Sequence, residues 1–136
     1  MLEQLLKVLY EELLIEGPPV KTESEPYSVA INDELKITFI ELEGGICMWG
    51  KIGPCPTLKK EDLFIYLMKA NFLGQGTGGS TIGLDQDENF LTLSSVLPYD
   101  MNYIMFRDAL EDFANYVDYW KAELIRHTKE AEQQIL

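Results

Sequence analysis

A chain of 136 residues, 46% hydrophobic and 25% charged, has the balance of one ordinary globular domain spanning residues 1–136. Its 23 acidic against 11 basic residues leave a formal net charge of −12, which disfavours phosphate backbones and anionic lipid surfaces as partners and suits a basic or aggregation-prone one. No apolar run approaches the roughly twenty residues of a membrane helix, and the opening MLEQLLKVLYEELL lacks the basic start and cleavage site of a signal peptide, so the chain is expected to stay in the cytoplasm.

The first segment predicts an amphipathic helix. Leu2, Leu5, Leu6, Leu9 and Leu13 recur at three- and four-residue steps along one stripe. Gly17, Pro18 and Pro19 are expected to stop it, and VKTESEPYS follows as a polar connection.

Between Tyr27 and Ile52 the period becomes that of strands. SVAIN and LKITFIEL are joined by a turn at Asn32-Asp33, and Gly44-Gly45 leads into ICMWGKI, giving a three-stranded meander that GPCP ends. Leu35, Ile37 and Phe39 define one face of the second strand, while Ile40 and Leu42 fall on the other. In the third strand Cys47 and Trp49 oppose Ile46 and Met48. A sheet with one face in water is polar on that face. Apolar residues on both faces therefore mean either that helices cover both or that an apolar surface stays open for a partner.

Thr57 is expected to cap a second helix, LKKEDLFIYLMKANFLG, with Glu61 and Asp62 at its positive end and Gly74 as its stop. TIGLD and NFLTLSSVL then flank DQDEN as a hairpin, closed by Pro98. The last helix carries an apolar seam of Phe106, Leu110, Phe113, Val117, Trp120 and Leu124, beyond which RHTKEAEQQIL is expected to be an exposed or frayed end. The order is αβββαββα: an α+β fold with helices packed on an antiparallel sheet.

Gly74, Gly76 and Gly79 match the spacing G-x-G-x-x-G of a dinucleotide loop. Such a loop follows a strand and opens a helix, so that backbone N–H groups face the phosphates. Here a helix precedes the glycines and a strand follows, which leaves the helix's negative end at the loop. The alternative role is a helix cap and a turn of close backbone approach, although a simple connection does not need four glycines in six residues.

DQDEN begins like a calcium loop, but Phe90 and Val96 stand where Gly and Glu are required, and a polar turn explains it. His127 is the one imidazole, on the polar end of the last helix, and Cys47 and Cys55 are the only thiols, expected to be reduced. These three cannot complete a four-ligand zinc site. No catalytic constellation, metal site or cofactor is expected, and the protein is read as no enzyme.

The block from Leu67 to Leu124 carries a resemblance. A helix ending in LMKANF, a glycine-rich turn, a strand giving GLD, a strand giving LTL and a long helix containing FRDALEDF resemble the Tir-chaperone (CesT-like) family, the class I chaperones of type III secretion. The element order, size and acidity agree over the whole chain, with the C-terminal half the more specific. The resemblance implies a bacterial cytoplasmic homodimer that uses no ATP, binds the N-terminal segment of a secreted effector, keeps it extended and aids its delivery to the secretion apparatus, with the secretion ATPase a further candidate partner. Carried onto this chain, it implies a dimer interface of Phe64, Leu67, Met68, Phe72, Ile82 and Leu84. It likewise implies effector contacts at Leu5, Leu9, Ile40, Leu42, Ile46 and Met48, for each of which plain core packing is the other reading. A dimeric adaptor without chaperone role, or a small nucleotide-binding protein using the Gly74–Gly79 loop, are the alternatives.

Overall fold

The computed structural model describes residues 1–19 and 26–135; most of the polar connection expected at VKTESEPYS lies outside them. The elements are α1 (Leu2–Glu12), β1 (Tyr27–Ala30), β2 (Lys36–Leu42), β3 (Gly45–Pro54), α2 (Lys60–Asn71), a single 3-10 turn (Phe72–Gly74), β4 (Thr81–Leu84), β5 (Phe90–Pro98) and α3 (Tyr103–Ile135). This is the expected αβββαββα order. The strands form one five-stranded antiparallel sheet in the order β1-β2-β3-β5-β4. Short turns keep the meander's strands adjacent, whereas the excursion through α2 lets β5 return beside β3 and sends β4 to the far edge.

Register sorts the apolar residues onto faces. Phe39 lies opposite Met48, Ile37 opposite Gly50, and Gly50 opposite Leu93, so these side chains share one face. Helix α3 crosses that face: a Cβ on Gly50 would stand 3.4 Å from Val117 and 3.8 Å from Phe113. Phe39 meets Phe106 with ring centroids 5.7 Å apart. All six seam residues of α3 are buried, each removal of such a side chain from water being worth roughly 1.5–3 kcal/mol before entropy is charged against it. Leu2, Leu5, Leu6 and Leu9 of α1 complete the same core, and Leu63 and Leu67 of α2 join it beside Ile52 and Leu91.

The helix ends differ from expectation. α1 stops at Glu12, well before Gly17, and Leu14 beyond it takes a left-handed conformation at φ 56°. Thr57 does not cap α2, which begins after Lys59, itself left-handed at φ 53° and with no side-chain cap. Lys59 contributes its carbonyl to the Leu63 N–H instead. α2 ends at Asn71, not at Gly74, and Leu73 takes the left-handed conformation at φ 54°. The C-terminal tail is helical through Ile135. Arg126 pairs with Glu123 and Glu130 one turn away on either side, and Ala131 is buried, so the polar stretch is held by i,i+3 and i,i+4 pairs and by packing.

Candidate functional site

The glycine loop is consumed by the fold. Its N–H groups donate to the chain's own carbonyls: Gln75 to Phe72 (3.1 Å), Gly76 to Ala70 (2.9 Å), Thr77 to Gly74 (3.4 Å), Gly79 to Gly74 (3.2 Å) and Ser80 to Thr77 (3.1 Å). A phosphate needs such groups free and convergent, and here five of them are spent. The Gly76 carbonyl accepts from Trp120 Nε1 at 3.0 Å, fastening the loop to α3. Gly78, at φ 61°, lies so close to the Tyr116 ring that a Cβ would overlap it, and a Cβ on Gly76 would stand 2.8 Å from that of Ala70. The glycines let a helix end and a strand start close down on α2 and α3.

DQDEN is likewise a turn. Asp85 Oδ1 accepts from the N–H groups of Asn89 (2.8 Å) and Phe90 (3.1 Å), which occupies the carboxylate in closing the β4–β5 hairpin.

Several apolar surfaces lie among the described residues. The first lies where α2 meets β4. Phe64, Leu67, Met68, Ile82 and Leu84, together with Asn71 and Leu91, line a groove of about 210 Å3. Five of the six residues expected at a dimer contact thus converge; the sixth, Phe72, stands beside the groove with 64% of its surface exposed. Met68, 72% exposed, forms the rim, while Leu67 and Ile82 form the buried floor. Asn71 positions the two walls: its Nδ2 donates to the Ile82 carbonyl at 2.9 Å and its Oδ1 accepts the Ile82 N–H at 2.8 Å. One side chain thereby occupies both backbone groups of Ile82 on an edge strand, which closes that position to a further strand.

The second surface is the sheet face opposite the helices. The register aligns Ile40, Cys47 and Val96 in one row across β2, β3 and β5, with Leu42 and Trp49 in neighbouring rows. Ile40, Leu42 and Val96 are exposed, Val96 to 62%, and Cys47 and Trp49 are half-buried. Burial pushes the Cys47 thiol up from its ordinary range. Leu5, Leu9, Ile46 and Met48, the other positions considered for effector contact, are buried in the core on the helix side. Val96 was not identifiable from the sequence, because only the β3–β5 register places it beside Ile40 and Cys47.

The third is a groove of about 330 Å3 between α1, the β1–β2 turn and α3. Leu9, Leu13, Ile31, Leu110 and Ala114 give it an apolar lining, and Glu12, Glu111 and Asp118 give it an acidic rim. Arg107, the one cation among its described lining residues, is shared between Glu12 and Asp108, each at 3.7 Å. The Tyr103 hydroxyl donates to Glu12 at 2.7 Å, and burial followed by this bond pushes the phenol up to about 12. Glu12 is therefore a fixed part of the rim. A signal for this groove did exist in the sequence: Ala114 follows Leu110 by one turn between Glu111 and Asp118, leaving a small side chain among acids.

Comparison with known proteins agrees with this architecture. A family model for the Tir chaperone protein (CesT) family matches residues 4–121. A Chlamydia pneumoniae protein, CPj0713/CpB0740, is 25% identical over 126 residues, covering 91% of this chain and 96% of its own. Among solved structures, the chain is similar to one in the ExsC–ExsE complex, with a TM-score of 0.75 at 14% identity over 89% of this chain and 91% of that one. It is similar also to a chain of the ExoU–SpcU complex from the type III secretion system of Pseudomonas aeruginosa, TM-score 0.67 at 13% identity, covering 93% and 96%. The Yersinia pestis type III secretion chaperone SycH, bound to a stable fragment of YscM2, gives a TM-score of 0.67 at 17% identity, covering 88% and 99%. At such identities the likeness is one of fold.

Proposed function

This chain belongs to the Tir chaperone (CesT) family, and from that premise we propose that it is a type III secretion chaperone which binds the N-terminal segment of a secreted effector and holds it extended. It works in the bacterial cytoplasm as a homodimer, through the groove between α2 and β4, and without catalysis or ATP. The solved relatives SpcU and SycH are each seen in complex with another protein, ExoU and a YscM2 fragment. The observation that carries the reading is the apolar row Ile40–Cys47–Val96 with Leu42, left open on a sheet whose helices pack on the opposite face. An unfolded segment brings apolar side chains and unpaired backbone, and a partly open sheet offers both pockets and an edge. Met48 and Leu9 lie in the core, so their replacement by Asp reads folding and not cargo binding.

The surface test uses the double variant Ile40→Asp, Val96→Asp. Its melting temperature stays near that of the parent, because both side chains already face water. Its affinity for an effector N-terminal fragment, measured by titration calorimetry, drops by about tenfold or more, the worth of one well-buried apolar contact at each site. Unchanged affinity overturns the assignment of this face to cargo.

A further inference from the structure

The end of α2 holds an unexplained expense. Leu73 stands in the left-handed conformation, φ 54° and ψ 21°, where a residue with a Cβ is strained and glycine is not. A helix commonly places glycine at this point, directly beyond its cap. Here glycine comes one residue later, as Gly74, also left-handed. The strained leucine gains nothing within the chain, since 81% of its surface is exposed. Beside it Phe72 and Met68 are also largely exposed, and the groove walled by Phe64, Leu67, Ile82 and Leu84 lies along the same helix end.

We infer that Leu73 is an anchor for a second copy of this chain: held outward by its left-handed backbone, it enters the α2–β4 groove of the partner protomer while the partner's Leu73 enters this one. The inference rests on the homodimer reading above and adds a contact residue to it. A two-fold contact requires knob and groove on one patch, each complementary to the other, and this patch carries both. The Asn71 side chain occupies the backbone groups of Ile82 on edge strand β4. Strand pairing is thus blocked at Ile82, and side chains carry the contact there. That makes an apolar knob necessary where the backbone alone prefers glycine.

The test compares self-association by sedimentation equilibrium of the full chain with Leu73→Gly, Leu73→Met and Leu14→Gly. Leu14 supplies the control, since it is also left-handed beyond a helix end and 88% exposed, but follows α1 and does not line the groove. Expected is a dimer weakened about tenfold or more in Leu73→Gly, restored in Leu73→Met, and unchanged in Leu14→Gly. The urea midpoint of Leu73→Gly, taken at a dilution where both it and the parent are monomeric, is not lower than the parent's, because glycine relieves the strain. A Leu73→Gly dimer as tight as the parent's overturns the anchor and leaves the homodimer standing. Equal weakening in Leu14→Gly, or a loss of monomer stability in Leu73→Gly, also overturns it. A parent chain that is itself monomeric removes the homodimer and the anchor together.

Discussion

Asn71 shows how one side chain can decide a local architecture. Its amide is both donor and acceptor, and both functions meet Ile82, eleven residues on and across the glycine loop. Leucine at this position keeps the branched shape and loses both bonds, stranding the Ile82 N–H and carbonyl at a partly buried site. Asn71→Leu is therefore expected to lower stability by about 1–3 kcal/mol. Hydrogen exchange of the Ile82 amide should accelerate relative to the amides of central strand β3. An Ile82 amide that stays protected in the variant contradicts this role. The sequence marked Asn71 only as part of the family-like LMKANF segment; its partner became visible when the loop brought β4 alongside.

At the scale of elements, the glycine turn is a docking device between α2, β4 and α3. Gly78 needs both its positive φ and the absence of a Cβ, because the Tyr116 ring occupies the space. The contact that Gly78→Val disturbs belongs to α3 of the same chain. The expected outcome is a lower melting temperature, equivalent to about 2 kcal/mol or more, from backbone strain and overpacking together. Calorimetry of the Gly78→Val protein checks it, and an unchanged transition would show that the loop can yield. The seam of α3 was legible because Phe106, Leu110, Phe113, Val117, Trp120 and Leu124 repeat at helical steps, and all six are buried. Helix ends were less so. Gly17 and Gly74 looked like stops, yet leucines took the left-handed positions beyond Glu12 and Asn71, a choice that local propensity disfavours and cannot forecast.

Across the whole molecule, charge and apolar surface divide the work of binding. On the proposed function, a net charge of −12 and the acidic rim of the α1–α3 groove favour a cargo segment that carries Lys or Arg beside its apolar anchors. On the proposed assignment, apolar contact on the sheet face then sets how long it stays. Raising the ionic strength from about 0.01 M to about 0.15 M shortens the screening length from roughly 30 Å to 8 Å. The association rate with an effector fragment, followed by stopped-flow fluorescence, is expected to fall across this range while the dissociation rate changes little. A salt-independent association rate would assign recognition to the apolar row alone.

The sequence by itself determined the order of elements, the two opposite faces of each strand and the absence of a workable phosphate loop. These follow from local rules: periodicity, turn chemistry and which element precedes the glycines. It did not determine which sheet face the helices cover, since Ile46 and Met48 are no more apolar by pattern than Cys47 and Trp49. Nor did it place Val96 beside Ile40, gather Phe64, Leu67, Met68, Ile82 and Leu84 into one groove, or set Leu73 outward. Those outcomes depend on strand register and on where α3 crosses the sheet. They are long-range choices, made when the core closes around Phe39, Phe106 and Val117 and only one face can be buried against it.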